Sequence, residues 1–70
     1  MTNQQAYKIL TENNFHWDRV SAKEIIVWTP GYKTAACFEI EEILMKAKMF
    51  ALKRDFDEMC GKTYTIFKHK

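Results

Sequence analysis

Apolar residues recur along this chain at helical, alternating and continuous spacings, and each spacing predicts a different element. Over residues 3–12, Ala6, Ile9 and Leu10 fall on one side of a helix, with Thr2 placed as its N-cap. Asn13 and Asn14 end it, because Asn tolerates the left-handed conformation found at helix termini. From 15 to 20 the chain alternates, Phe15, Trp17 and Arg19 against His16, Asp18 and Val20, which predicts a strand. After the polar break at Ser21, Ala22 and Lys23, the run from Ile25 to Thr29 is almost entirely β-branched or aromatic. It predicts a second strand over 24–29, at the centre of a sheet.

Pro30 and Gly31 suit the two central positions of a turn. Residues 32–38 fit two patterns. Tyr32, Thr34, Ala36 and Phe38 alternate as a third strand would, while Ala35 and Ala36 suit a helix starting at Thr34. The strand is preferred, since a hairpin partner is otherwise missing. Residues 39–60 contain neither Gly nor Pro and predict one long helix, opened by Glu39, Glu41 and Glu42 and closed by Gly61 as the C′ residue. Alternation returns over 63–68, with Thr63, Thr65 and Phe67 opposed to Tyr64, Ile66 and Lys68, as a terminal strand. The expected fold is a single α+β domain: a short N-terminal helix and a small antiparallel sheet packed on one long helix.

The expected long helix has two apolar faces. Ile40, Ile43, Leu44, Ala47, Phe50 and Ala51 lie within an arc of about 120°, the width of a core-facing stripe. Met45, Met49, Leu52, Phe56 and Met59 step by four and three along another side, as an a/d seam does. Internal core is one reading of that seam. The other is a contact surface, because a ten-residue first helix spans about 15 Å and cannot cover a long helix of about 30 Å. A large uncovered apolar face marks an interaction site, so a protein partner or a homodimer is expected there.

Composition narrows the functions available. Seventy residues bury only about 60% of the unfolded surface, and the 47% apolar and 14% aromatic content is that of a folding chain. The net charge of +2 is unevenly spread: +1 over residues 1–38, −2 over 39–60 and +3 over 61–70. This is too weak for affinity built mainly on phosphate neutralisation. Trp17, Arg19, Lys33, Lys62, Lys68 and Lys70 nevertheless mix aromatic and basic side chains on predicted strands and in the tail. They define an alternative reading as a small RNA- or DNA-binding protein.

Other chemistries find little support. His16, Cys37, Cys60 and His69 have no metal-ligand spacing, and neither cysteine sits in a nucleophile motif. There is no phosphate-binding glycine loop, so neither catalysis, a cofactor nor a small-molecule substrate is expected. On the expected long helix the two cysteines would be too far apart to bridge, and two free thiols, a polar N-terminal stretch and the absence of an apolar run of about 18 residues point to the cytoplasm and not to a membrane. The layout is similar to that of small RNA-binding and toxin modules, without a family signature. A non-enzymatic interaction protein is expected, a regulator or inhibitor of the kind phages and mobile elements encode.

Overall fold

A computed structural model describes residues 2–31 and 35–69. Two helices and four strands follow in the order α1 (Asn3–Glu12), β1 (His16–Arg19), β2 (Glu24–Pro30), α2 (Ala35–Lys46), β3 (Met49–Asp57) and β4 (Lys62–His69). The strands form one antiparallel sheet in the spatial order β1-β2-β4-β3. This is the expected α+β class, with two hairpins joined side by side through β2 and β4.

The first helix has the predicted bounds. Thr2 caps it by accepting the Gln5 N–H, and the Gln5 side chain accepts the Thr2 N–H in return, a reciprocal capping box. Asn14 takes a left-handed φ of 62° immediately after it. β2 falls where the β-branched and aromatic run placed it and β4 where alternation did, and Gly31 adopts a positive φ of 80° after Pro30.

The long helix over 39–60 is not formed. Its first part belongs to α2, which begins at Ala35, so the strand expected over 32–38 is helical from Ala35 onward and its earlier part lies outside the described residues. Glu39, Glu41 and Glu42 therefore sit inside the helix, not in its first turn. The helix closes in a tight turn: the Ala47 N–H donates to Leu44 O (3.0 Å) and the Lys48 N–H to Met45 O (2.9 Å), with Lys48 at φ 62°. The chain then runs back along β4 as β3. β2 thus has no need of a partner from 32–38, because it lies between β1 and β4, and the strand absent from the sequence pattern, 49–57, pairs with β4 alone.

Tertiary pairing overrides helical periodicity here, because eight of the nine residues of β3 gain a ladder along β4 that no isolated helix offers. A bulge at Leu52, between Ala51 and Lys53, adds one residue and changes the alternation midway. The β3–β4 turn is built by Asp57, whose carboxylate accepts the Met59 and Cys60 N–H groups, and by Gly61 at φ 66°, whose N–H donates to Asp57 O. Gly61 does supply a left-handed residue, but to a hairpin and not to a helix end.

Both helices cover one face of the sheet. Their contact with it forms the core: Ala6 and Leu10 from α1, Ile40 and Leu44 from α2, Ala47, and Met49, Ile25, Val27 and Phe67 from the strands. Of the expected core stripe, Ile40, Leu44 and Ala47 are buried and Ile43 packs at the margin. Phe50 and Ala51 belong to β3 and point to opposite faces. Beside this apolar cluster the same face holds three buried threonines, Thr29, Thr63 and Thr65.

Candidate functional site

The alternation along each strand leaves the other face of the sheet without a helix. Strand register sorts its side chains into rows, read across β1, β2, β4 and β3. One central row is Asp18, Ile26, Ile66, Lys53; the next is His16, Trp28, Tyr64, Asp55. Flanking them are Glu24, Lys68, Phe50 at one end and Pro30, Lys62, Asp57 at the other. The two central strands thus supply an apolar and aromatic block, and the charges lie around it.

Local contacts fix these positions. The Trp28 and Tyr64 rings meet across the β2–β4 pair with centroids 5.3 Å apart and planes tilted by 56°. The Lys53 ammonium lies 6.0 Å from the centre of the Tyr64 ring, on the same face. His16, Trp28, Lys62 and Cys60 line an open depression of about 430 Å³ at the turn end. Ile26, Trp28, Tyr64 and Ile66 are half-buried by each other and their neighbours, whereas Ile25, Val27 and Phe67 on the covered face are fully buried.

Charge on this face is mixed. Three lysines, Lys53, Lys62 and Lys68, accompany four carboxylates, Asp18, Glu24, Asp55 and Asp57. Among the described residues the ion pairs are Lys8–Glu12 along α1 and Arg54–Glu41 beneath α2, so neither engages a charge of the open face. Asp18 and Asp55 each accept the N–H of the following residue, Arg19 and Phe56, through Oδ1. A carboxylate has further acceptor capacity on its other oxygen.

The residues expected to form a binding seam are not brought together on a helix. Met45 is exposed on α2, Met49 is fully buried in the core, Leu52 is the exposed bulge residue of β3, Phe56 is half-buried on β3, and Met59 stands 98% exposed in the β3–β4 turn. The seam fails because it depended on a helix continuing past Lys46.

The residues of the nucleic-acid reading are also divided. Trp17 lies on the covered side, stacked on Tyr7 at 4.6 Å with its indole N–H donating to Thr11 Oγ1. Arg19, in register with the buried Ile25, is exposed at the β1 edge. Lys62 and Lys68 do lie on the open face, while Lys33 and Lys70 fall outside the described residues. The aromatic residues of the open face are instead Trp28 and Tyr64 on the central strands, with Phe50 at the edge. Their alternation with buried neighbours was readable, but not which side the helices would take.

The covered face has its own polar chain. The Arg54 guanidinium donates to Thr65 Oγ1 (3.1 Å) and Glu41 Oε1 (3.0 Å), while Thr29 Oγ1 donates to Thr63 O (3.2 Å) and lies 3.0 Å from Cys37 Sγ. The Thr63 hydroxyl donates to Gly31 O at 2.6 Å. Every one of these groups is matched to a partner inside the protein, as burial requires. Cys37 is a buried free thiol and Cys60 an exposed one. Among the described residues no group of three His, Cys, Asp or Glu side chains is placed to hold a metal ion, and no helix is long and apolar enough to cross a membrane. Set against known protein families, curated proteins and solved structures, the chain matches none of them.

Proposed function

We propose that this chain is a small non-enzymatic interaction module, a regulator or inhibitor that works in the cytoplasm by docking a protein surface on the open face of its sheet. One observation carries the reading. Ile26, Trp28, Tyr64 and Ile66 form a contiguous block at the centre of that face, rimmed by charges of both signs. An apolar centre with a polar rim is the anatomy of protein interfaces, and Trp and Tyr are their favoured anchors. The two free thiols suit a reducing compartment.

The test compares capture by immobilised wild type, a Trp28→Lys/Ile66→Lys variant and a Met45→Glu control on the outer surface of α2. A bound protein retained by wild type and control but lost from the face variant, with unchanged circular dichroism, supports the reading. Equal capture by all three removes the open face from binding.

Nucleic-acid binding is the second reading, favoured by the half-buried Trp28 and Tyr64 rings of the open face beside Lys53 and Lys62. Stacking of unpaired bases on such rings is worth about 1–3 kcal/mol each. Four carboxylates against three lysines on the same face weigh against it. Absence of oligonucleotide binding at low salt eliminates this second reading.

A further inference from the structure

We infer that the occupant of the open face is a second copy of this chain, stacked sheet to sheet about a two-fold axis that runs parallel to the strands between β2 and β4. This rests on the docking role proposed above for that face. The inference comes from the order of charges across the rows. A two-fold in that direction keeps each residue in its own row and exchanges columns, so that β1 lies over the partner's β3 and β2 over the partner's β4.

In the first central row, Lys53 then faces the partner's Asp18, and Ile26 faces the partner's Ile66. In the second, His16 faces the partner's Asp55, and Trp28 faces the partner's Tyr64. In the row beyond, Glu24 faces the partner's Lys68. By symmetry each contact occurs twice. Every charged residue of these three rows meets an opposite charge or a hydrogen-bonding imidazole, and the apolar block meets itself.

The other in-plane axis, perpendicular to the strands, keeps columns and reverses rows. Its central rows also match, Lys53 over the partner's Asp55 and Asp18 over the partner's His16, but its end rows set Lys68 over the partner's Lys62 and Phe50 over the partner's Asp57, which places like charges together and an aromatic ring on a carboxylate. Charge order therefore selects one axis. Aligned sheets packed about 10 Å apart leave room for Lys and Asp side chains to meet across the gap.

Size is consistent with a reversible dimer. Strands about 4.8 Å apart, three contributing about seven residues of about 3.3 Å and β1 only four, give a face of roughly 400 Å², or about 800 Å² on the two copies before side-chain relief is counted. That lies below about 1,200 Å², where stable specific interfaces begin, and belongs to weak, reversible contacts, so association in the high-micromolar range is expected.

Sedimentation equilibrium on the full chain between about 1 μM and 1 mM tests the inference, with circular dichroism to confirm that each variant is folded. Wild type is expected to shift from monomer to dimer within this range. Asp18→Lys and Lys53→Asp alone each create two like-charge contacts and should dimerise about tenfold or more weakly. An equimolar mixture of the two variants restores both pairs across the axis and should form a heterodimer of near wild-type affinity.

A wild type that stays monomeric at 1 mM overturns the inference, and so does a mixture that associates no better than its components. The former result combined with face-dependent capture of another protein overturns the dimer alone. Loss of both dimer and capture overturns the docking role as well.

Discussion

Ile66 and Phe67 are adjacent on β4 but lie on faces of the sheet with different tasks. On the covered face the side chains are enclosed by α1 and α2, and its polar members, Thr29, Thr63 and Thr65, all find hydrogen-bond partners within the chain. On the open face the apolar residues are only half-buried, and charges occupy the rim without an ion pair among the described residues. The first face is closed by its own contacts. The second leaves its apolar side chains half-buried and its charges, among the described residues, without ion pairs, and that difference is what motivates the docking role proposed for it.

The largest effect expected from this contrast is on stability. A chain of this length has a folding free energy of about 4–10 kcal/mol at typical values per residue. Phe67→Ala removes the largest fully buried side chain and should cost about 3–5 kcal/mol, enough to leave the protein marginal or unfolded. Ile66→Ala, one residue away, should cost about 1 kcal/mol when measured by urea denaturation at a concentration where the chain is monomeric. Equal losses at the two positions would break the distinction between the faces.

A smaller effect separates the polar half of the covered face from its apolar half. Arg54→Met removes the donor to both Glu41 and Thr65, whose hydroxyl lies in the core. The Arg54 and Glu41 side chains remain 19% and 32% exposed, so solvent tempers the pair and a loss of about 1–2 kcal/mol is expected. Glu41→Gln keeps an acceptor and should cost less than half as much. If both variants matched wild type in denaturant midpoint, the Arg54 bridge would contribute nothing to holding α2 on the sheet.

Much of this contrast was present in the amino-acid order. The alternation over 63–68 separates Thr63, Thr65 and Phe67 from Tyr64, Ile66 and Lys68 as the two faces do, and Thr2 was identifiable as a cap. What misled was the segment after Lys46. Met45, Met49, Leu52, Phe56 and Met59 repeat at helical spacing by coincidence, and the bulge at Leu52 breaks the period of two that would have revealed a strand. No Gly, Asn or Pro announces the turn at Lys48. The sequence pattern points to Trp17 as the surface aromatic and to Trp28 only as part of a central strand, because the side on which Tyr7 and α1 would lie depends on tertiary docking that local patterns do not encode.

That unannounced turn yields the smallest predicted effect, and it bears on how the faces are assigned. Lys48, at φ 62°, sets the phase in which β3 leaves α2, sending Met49 into the core and Phe50 to the open face. A left-handed φ costs an ordinary L-residue about 1 kcal/mol, and glycine escapes that penalty while losing more entropy on folding. Lys48→Gly should therefore raise stability slightly, by about 0.5 kcal/mol, with the sheet phase unchanged. Inside a continuous helix, as the helical spacing of the seam residues implied, the same substitution would lower stability by about 1 kcal/mol. The sign of the shift in a denaturation midpoint thus distinguishes a turn that feeds both faces of the sheet from a helix that runs through it.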